Sequence, residues 1–356
     1  MSKIVRDLTP KEWQAPELPE RYLFDLRSEC NLACPMCLLH GAPDSPEKEA
    51  VIGKMSVERA RMILDEVMAV KPLIQPSMWG EPLLAKDIKA HLKQMKDRGI
   101  AVAFNTNGLT LREELARFLI GIKLDSVFFS LDAMTPETLK KVRGIDKLDK
   151  IKNNLAMLLR VRDEVKSIYP RIGVSMTVQK DNEHELDSFV KHWVGIVDVV
   201  RIGRVFADGK LEGLDEPKER VPCKMIYETM AIHYNGDVSI CCLDSHAQMI
   251  MGNVFRDGGV KAVWNGEKFR DARHFHETGQ YDKIPFCKNC NAWSGHLYVE
   301  ETDEINGQKV LIRRSHEYAY YNRIDRLASW HEHIRGHAKL DQEKIRELAD
   351  SAFVAD

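Results

Sequence analysis

Between residues 20 and 206, short apolar runs rich in β-branched and aromatic residues alternate with amphipathic stretches. The runs at 22–26, 73–78, 101–104, 126–130, 172–177 and 197–202 predict strands. The stretches at 57–70, 88–99 and 112–122 predict helices, and the last carries Leu115, Phe118, Leu119 and Ile122 at the i, i+3, i+4, i+7 spacing of a core-facing stripe. Six such units argue for an α/β fold, a parallel sheet covered by helices. Pattern alone leaves open whether that sheet is flat or curls into a partial barrel. Either way, ligands are expected at the C-terminal ends of its strands.

Composition narrows the function classes. The 356 residues are 44% hydrophobic and 30% charged, enough for one large domain and a smaller one. A net charge of −2 gives bulk electrostatics no grip on nucleic acid or an anionic membrane. No apolar window is long enough to span a bilayer, and the mixed-charge N-terminus has no secretory h-region, so a cytoplasmic location is expected. Thiols are reduced there, yet eight cysteines fall into two groups separated by residues 38–222. Grouped cysteines in that setting read as metal ligands or redox groups.

The first group follows the first strand: Cys30-Asn-Leu-Ala-Cys34-Pro-Met-Cys37. Three thiolates on one loop bind three corners of an iron–sulfur cube and leave the fourth iron open, unlike a four-cysteine electron-transfer cluster. This C-x3-C-x2-C loop resembles the signature of radical S-adenosylmethionine (SAM) enzymes. The resemblance implies a partial (β/α)6 TIM-type barrel in which SAM chelates the open iron of a [4Fe–4S] cluster. One electron, from a donor such as flavodoxin or ferredoxin, then splits SAM to a 5′-deoxyadenosyl radical that abstracts a substrate hydrogen. Further segments agree: Trp79-Gly80-Glu81-Pro82 resembles the loop that meets SAM's ammonium, and Asn105-Thr106-Asn107-Gly108 resembles a common family segment. Ser130 stands where the ribose is touched, and Arg143 resembles the arginine that pairs with SAM's carboxylate. Met36 stands where an aromatic residue often sits by the adenine, and its polarizable sulfur suits that contact. Read without the resemblance, Asn105 and Ser130 are capping residues and Arg143 a solvated helix residue.

The second group is Cys223, Cys241, Cys242, Cys287 and Cys290. Asn235-Gly236 between runs at 230–234 and 238–242 predicts a hairpin that returns Cys241 or Cys242 toward Cys223. A helix containing Val263, Trp264 and Phe269 leads on to Cys287-x2-Cys290. This order resembles the family's auxiliary domains, SPASM with two clusters and twitch with one, and is most like the one-cluster form of the aminoglycoside-type alcohol dehydrogenases. It implies a second [4Fe–4S] cluster on Cys223, Cys241, Cys287 and Cys290; a zinc ribbon has similar spacing. Cys242, on the other face of the strand, is then a packing thiol or, as in radical epimerases, a hydrogen-atom donor.

Four segments are expected: an extension over 1–19, the core over 20–215, the auxiliary domain over 216–298 and a helical C-terminal extension over 299–356. In the tail, His331, Glu332, His333 and His337 read as surface helix residues, and Tyr318–Tyr321 as packing residues. A closed second cluster suits electron transfer, which points to SAM-dependent dehydrogenation of a small polyol or a peptide side chain. Arg204, at the end of the sixth strand, is a candidate base, although its pKa opposes that role; Arg201 and Arg204 equally suit an anionic substrate group. The alternative is epimerisation or cross-linking of a ribosomal peptide. The shortness of residues 1–20 as a peptide-docking segment favours a small substrate.

Overall fold

The structure, a computed structural model, describes residues 4–6, 14–207, 209–213, 220–296, 298–315 and 318–329. Its strands are β1 (Ile4–Arg6), β2 (Arg21–Phe24), β3 (Leu73–Gln75), β4 (Ala101–Thr106), β5 (Ser126–Ser130), β6 (Arg171–Val178), β7 (Val199–Arg204), β8 (Phe206–Ala207), β9 (Lys210–Leu211), β10 (Thr229–Ile232), β11 (Asp237–Ser239), β12 (Ile250–Asn253), β13 (Tyr298–Ile305), β14 (Gln308–Ser315) and β15 (Ala319–Arg323). The α-helices are α1 (Pro46–Ala50), α2 (Val57–Val67), α3 (Ile88–Asp97), α4 (Glu113–Gly121), α5 (Pro136–Arg143), α6 (Leu148–Glu164), α7 (Leu186–Val194), α8 (Met225–Glu228), α9 (Val260–Trp264) and α10 (Glu267–Glu277). Local chemistry sets several ends. Ser56 caps α2 through Arg59 N–H, and Thr135 caps α5 through Thr138 N–H. Gly144, at φ 72°, closes α5 in the left-handed conformation that glycine adopts without penalty.

Packing divides the chain into two compact units, and the division passes through β4 between Phe104 and Asn105. One unit comprises residues 8–104 and 206–296. Within it β2, β3 and β4 run parallel, and β10 adds to β2, also parallel, before β11 and β12 continue antiparallel. The auxiliary segment expected over 216–298 is therefore joined to β2 by a strand ladder, and the expected boundary at 215/216 is not where the compact units part. The other unit comprises residues 1–7, 105–205 and 297–356. There β5, β6 and β7 are parallel, and β15, β14, β13 and β1 follow antiparallel.

Three expectations change. The buried face of α4 is Ala116, Leu119 and Ile120, while Leu115, Phe118 and Ile122 are half-buried, so the helix is rotated relative to the stripe. The hairpin of β10 and β11 ends at Ser239 because its pairing with β12 shifts between Val238 and Ser239. Cys241 and Cys242 thus lie beyond the strand, and the alternation argument does not govern them. The extension expected to be helical over 299–356 holds strands β13, β14 and β15; residues 330–356, with the histidines considered above, lie outside the described residues. Among the described residues, no helix is long and apolar enough to cross a membrane.

Candidate functional site

The three-cysteine loop leaves β2 and is held from several sides. Ser28 donates its hydroxyl to Gly53 O (3.0 Å) and accepts Gly53 N–H (2.6 Å), and Met55 N–H reaches Leu26 O (2.9 Å). Cys37 N–H bonds Cys34 O (2.9 Å), which folds the ligand segment on itself. Gly41 closes it: a Cβ there would collide with Cys34 O and lie 2.7 Å from Cys37 O and 2.8 Å from Pro35 O. The His40 N–H donates to Cys37 Sγ (3.3 Å), the kind of hydrogen bond that tunes a cluster thiolate. Burial lowers the His40 pKa, so the neutral ring donates from Nε2 to Ser28 O (2.8 Å).

Against this loop presses the Trp79–Pro82 segment. Only glycine fits at position 80, because a Cβ would collide with Arg27 O. Glu81 N–H bonds Glu29 O (3.0 Å), and its buried carboxylate accepts Leu83 N–H (3.0 Å), capping the turn Pro82–Leu84. Burial pushes the Cys30 thiol up to about 11, against the Leu32 N–H that holds it down; Glu81, Cys34 and Cys37 raise it further. Three thiols and one carboxylate thus share a small volume. Such thiols bind iron by releasing their protons to its charge. Met36 is half-buried on the same loop.

The second group converges from three segments, at 223, 241–242 and 287–290. Burial holds the Cys241 thiol well above its ordinary range, and Cys242, Cys287 and Cys223 add to the rise. Burial pushes Cys287 up to about 12, with Cys290 beside it. Cys290 is set by the turn from Cys287 O (3.2 Å), receives Ala292 N–H at Sγ (3.4 Å), and precedes Asn291, whose side chain clasps both backbone groups of Leu211. Cys223 N–H donates to His276 Nδ1 (3.1 Å). Burial, then Arg220, lower His276 to about 4, so the ring is neutral and its proton sits on Nε2. That buried Nε2 has no protein partner among the described residues. Arg220 stacks over Tyr281 (4.0 Å) and donates to Cys287 O (2.7 Å). Four thiols, an N–H···S bond and an orphaned donor beside Cys223 fit a cluster whose sulfurs need hydrogen bonds. Among the described residues, no group of three or more His, Cys, Asp or Glu side chains is placed to hold a single metal ion. The Trp79 indole donates to Cys242 O (3.1 Å), a link that the sequence reading missed.

The remaining expected residues lie in the other unit. Ser130 ends β5, half-buried. Arg143 donates Nε to Asp132 Oδ2 (2.6 Å), and Nη2 makes the same ion pair (2.5 Å), so it is a buried, paired residue and not a solvated one. Asp132, at φ 58°, also accepts Thr177 N–H (2.6 Å). Asn105 Oδ1 accepts from Arg201 Nη2 (3.1 Å). Arg204 is exposed and stands three positions beyond Arg201, an odd offset that puts the two side chains on opposite faces of β7. The base role expected of Arg204 therefore lacks a place on the face that carries Ser130.

Residues 28–191 match the radical SAM superfamily, and residues 223–291 match the SPASM iron–sulfur cluster-binding domain. The tungsten-containing aldehyde ferredoxin oxidoreductase cofactor-modifying protein of Pyrococcus furiosus is 25% identical over 336 residues, covering 80% of this chain and 90% of its own. BtrN in complex with AdoMet and 2-DOIA is similar in structure at a TM-score of 0.54 and 18% identity, over 78% of this chain and 94% of that one. SuiB of Streptococcus suis, bound to precursor peptide SuiA, gives a TM-score of 0.56 at 15% identity, over 73% and 68% of the two chains. The likeness is one of fold: parallel strands alternating with helices in a partial barrel, followed by the auxiliary domain.

Proposed function

This chain belongs to the radical SAM superfamily and carries a C-terminal SPASM-type iron–sulfur domain, and on that premise we propose that it is a dehydrogenase of a small polyol or of a peptide side chain. The membership makes it an enzyme that uses two [4Fe–4S] clusters and SAM. The observation that carries the oxidative reading is the second cysteine group: four buried or half-buried thiols on three segments are enough to ligate every iron of a cluster and would leave no ligand position for a substrate. Bound together, the cofactors supply abstraction of a substrate hydrogen atom and an acceptor for the second electron.

The chain's own residues then have separate tasks. Cys30, Cys34 and Cys37 hold three corners of the first cluster and leave one iron for SAM. Gly80 lets the backbone approach, and Glu81 sets a carboxylate for SAM's ammonium. Asp132 orients Arg143 for SAM's carboxylate, Ser130 meets the ribose, and Met36 meets the adenine. Cys223, Cys241, Cys287 and Cys290 hold the second cluster, with Ala292 N–H on Cys290 and His276 on the Cys223 backbone. Flavodoxin or ferredoxin is the class of donor that such a first cluster needs.

A second reading, redox-neutral or cross-linking modification of a ribosomal peptide, draws support from the likeness to SuiB bound to its precursor peptide. Anaerobic reconstitution with iron counting and EPR tests both. About eight irons, with one reduced signal that shifts on SAM addition and one that does not, is the expected result. About four irons plus bound zinc would remove the electron acceptor and sink the dehydrogenase reading.

A further inference from the structure

Strand register places a polar row on one face of the 105–205 unit. Ser130 of β5 pairs with Ser175 of β6, Ser175 with Arg201 of β7, and Arg201 with Tyr320 of β15. Paired residues of neighbouring strands project to the same side, so these four form one line that begins at the C-terminal end of β5 and crosses β6 and β7 near their middles. The row beneath it is Phe128, Gly173, Val199 and Asn322. Ligands of parallel α/β sheets bind at this end. The line starts at the residue assigned to the ribose and ends on a strand of the C-terminal extension.

Arg201 is held in that line by an aromatic ring and an amide, and no described carboxylate neutralises it. Its guanidinium sits 4.8 Å from the Phe128 ring centre and gives Nη2 to Asn105 Oδ1. Other arginines of the unit have different partners: Arg143 meets Asp132, Arg162 meets Asp198, and the buried Arg171 donates to Asn322 (2.7 Å). Among the described residues, no carboxylate pairs with Arg201. A half-buried cation that keeps its planar fork oriented, with no acid to answer it, is suited to a carboxylate or phosphate. Arg204 cannot share the task from the opposite face of the strand.

We propose that Arg201 is the anion-binding residue of the substrate site, taking a carboxylate or phosphate group of the substrate, with Ser175 and Tyr320 as its hydroxyl-bearing neighbours. The proposal rests on the reading above in taking the Ser130 side of the sheet as the reacting side. The test is calorimetric titration of the reconstituted, SAM-loaded protein with inorganic phosphate and, separately, with glutarate; a phosphate-selective or glutarate-selective response tells the two sources apart. Arg201→Gln is expected to weaken the preferred anion about tenfold or more, and Arg201→Lys less for phosphate than for glutarate, because lysine offers charge without the fork. Iron content and SAM affinity, measured on the same samples, report folding and the cofactor site. Wild-type protein that binds neither anion, or Arg201→Gln protein that binds as wild type does, overturns the proposal. So does a parallel loss of SAM affinity, which would make Arg201 a positioning residue for Asn105. Loss of the second cluster with anion binding intact sinks the dehydrogenase reading and leaves this one standing.

Discussion

The two cysteine sites lie in one compact unit yet are built in opposite ways. The first draws its thiols from eight consecutive residues, Cys30 to Cys37, and its shape comes from backbone contacts around Gly41, His40 and Ser28. The second gathers Cys223, Cys241, Cys287 and Cys290 from segments up to 67 residues apart, each set by a different support: the His276 ring, the turn after β11, and the Asn291 clasp. A single loop approaches a cluster from one side and leaves a corner open; three separate segments enclose it. The contrast teaches that three ligands on one loop need only local sequence, while a site closed by four needs the fold.

The comparison breaks most visibly at the ligands themselves. Cys37→Ala should abolish SAM cleavage and lower iron from about eight to about four per chain. Cys287→Ala should lose the same amount of iron yet still cleave SAM, with no oxidised product. If both variants stop SAM cleavage alike, the sites are not independent and the contrast drawn above fails. A finer cut lies between neighbours: Cys241→Ala should behave as Cys287→Ala does, and Cys242→Ala should keep full iron content. The reverse pattern would transfer the ligand role to Cys242.

A pH titration sharpens the first site alone. Asp25, at the end of β2, is buried, which raises its carboxyl to about 7 from 3.8 against bonds from Met78 and Ser28 that favour the charge. The native protein keeps a proton there that the unfolded chain releases, so stability is full at low pH and falls as pH rises from 3.8 to about 7. The loss amounts to up to about 4 kcal/mol. Asp25→Asn should remove that slope, raising the melting temperature at pH 8 relative to wild type and leaving it unchanged near pH 4. Equal gains at both pH values would show that the proton plays no part. The smallest effect is expected where the sites communicate. Trp79→Phe deletes the indole bond to Cys242 O and should cost about 1 kcal/mol in denaturant unfolding. No loss there would mean the link carries no stability.

Much of this was legible along the chain. The 126–130 strand appears with the same bounds, and the other parallel strands agree to within a few residues, because alternation of buried and open faces is a local property. The C-terminal strands were missed although a signal was present. Asn306-Gly307, both at positive φ, joins β13 to β14 as a two-residue hairpin turn, and flanking charges hid it. The rotation of α4 came from tertiary packing, which chose Ala116 and Ile120 over the larger Phe118. His276, Arg220 and Asp132 carried no sequence mark, since their roles exist only through partners elsewhere in the chain.

Taken alone, the sequence determined the three-thiol loop, the glycine beside it and the number of thiols left for a second site. Those depend on residue type and short spacing, which covalent geometry transmits directly. Tertiary structure decided which thiols face one another, which arginine meets a carboxylate and which meets an amide, and that β10 joins β2. Each of those is a contact between residues far apart in sequence, as between Asn105 and Arg201, 96 positions apart. Such a contact depends on strand register and burial, which no local pattern encodes.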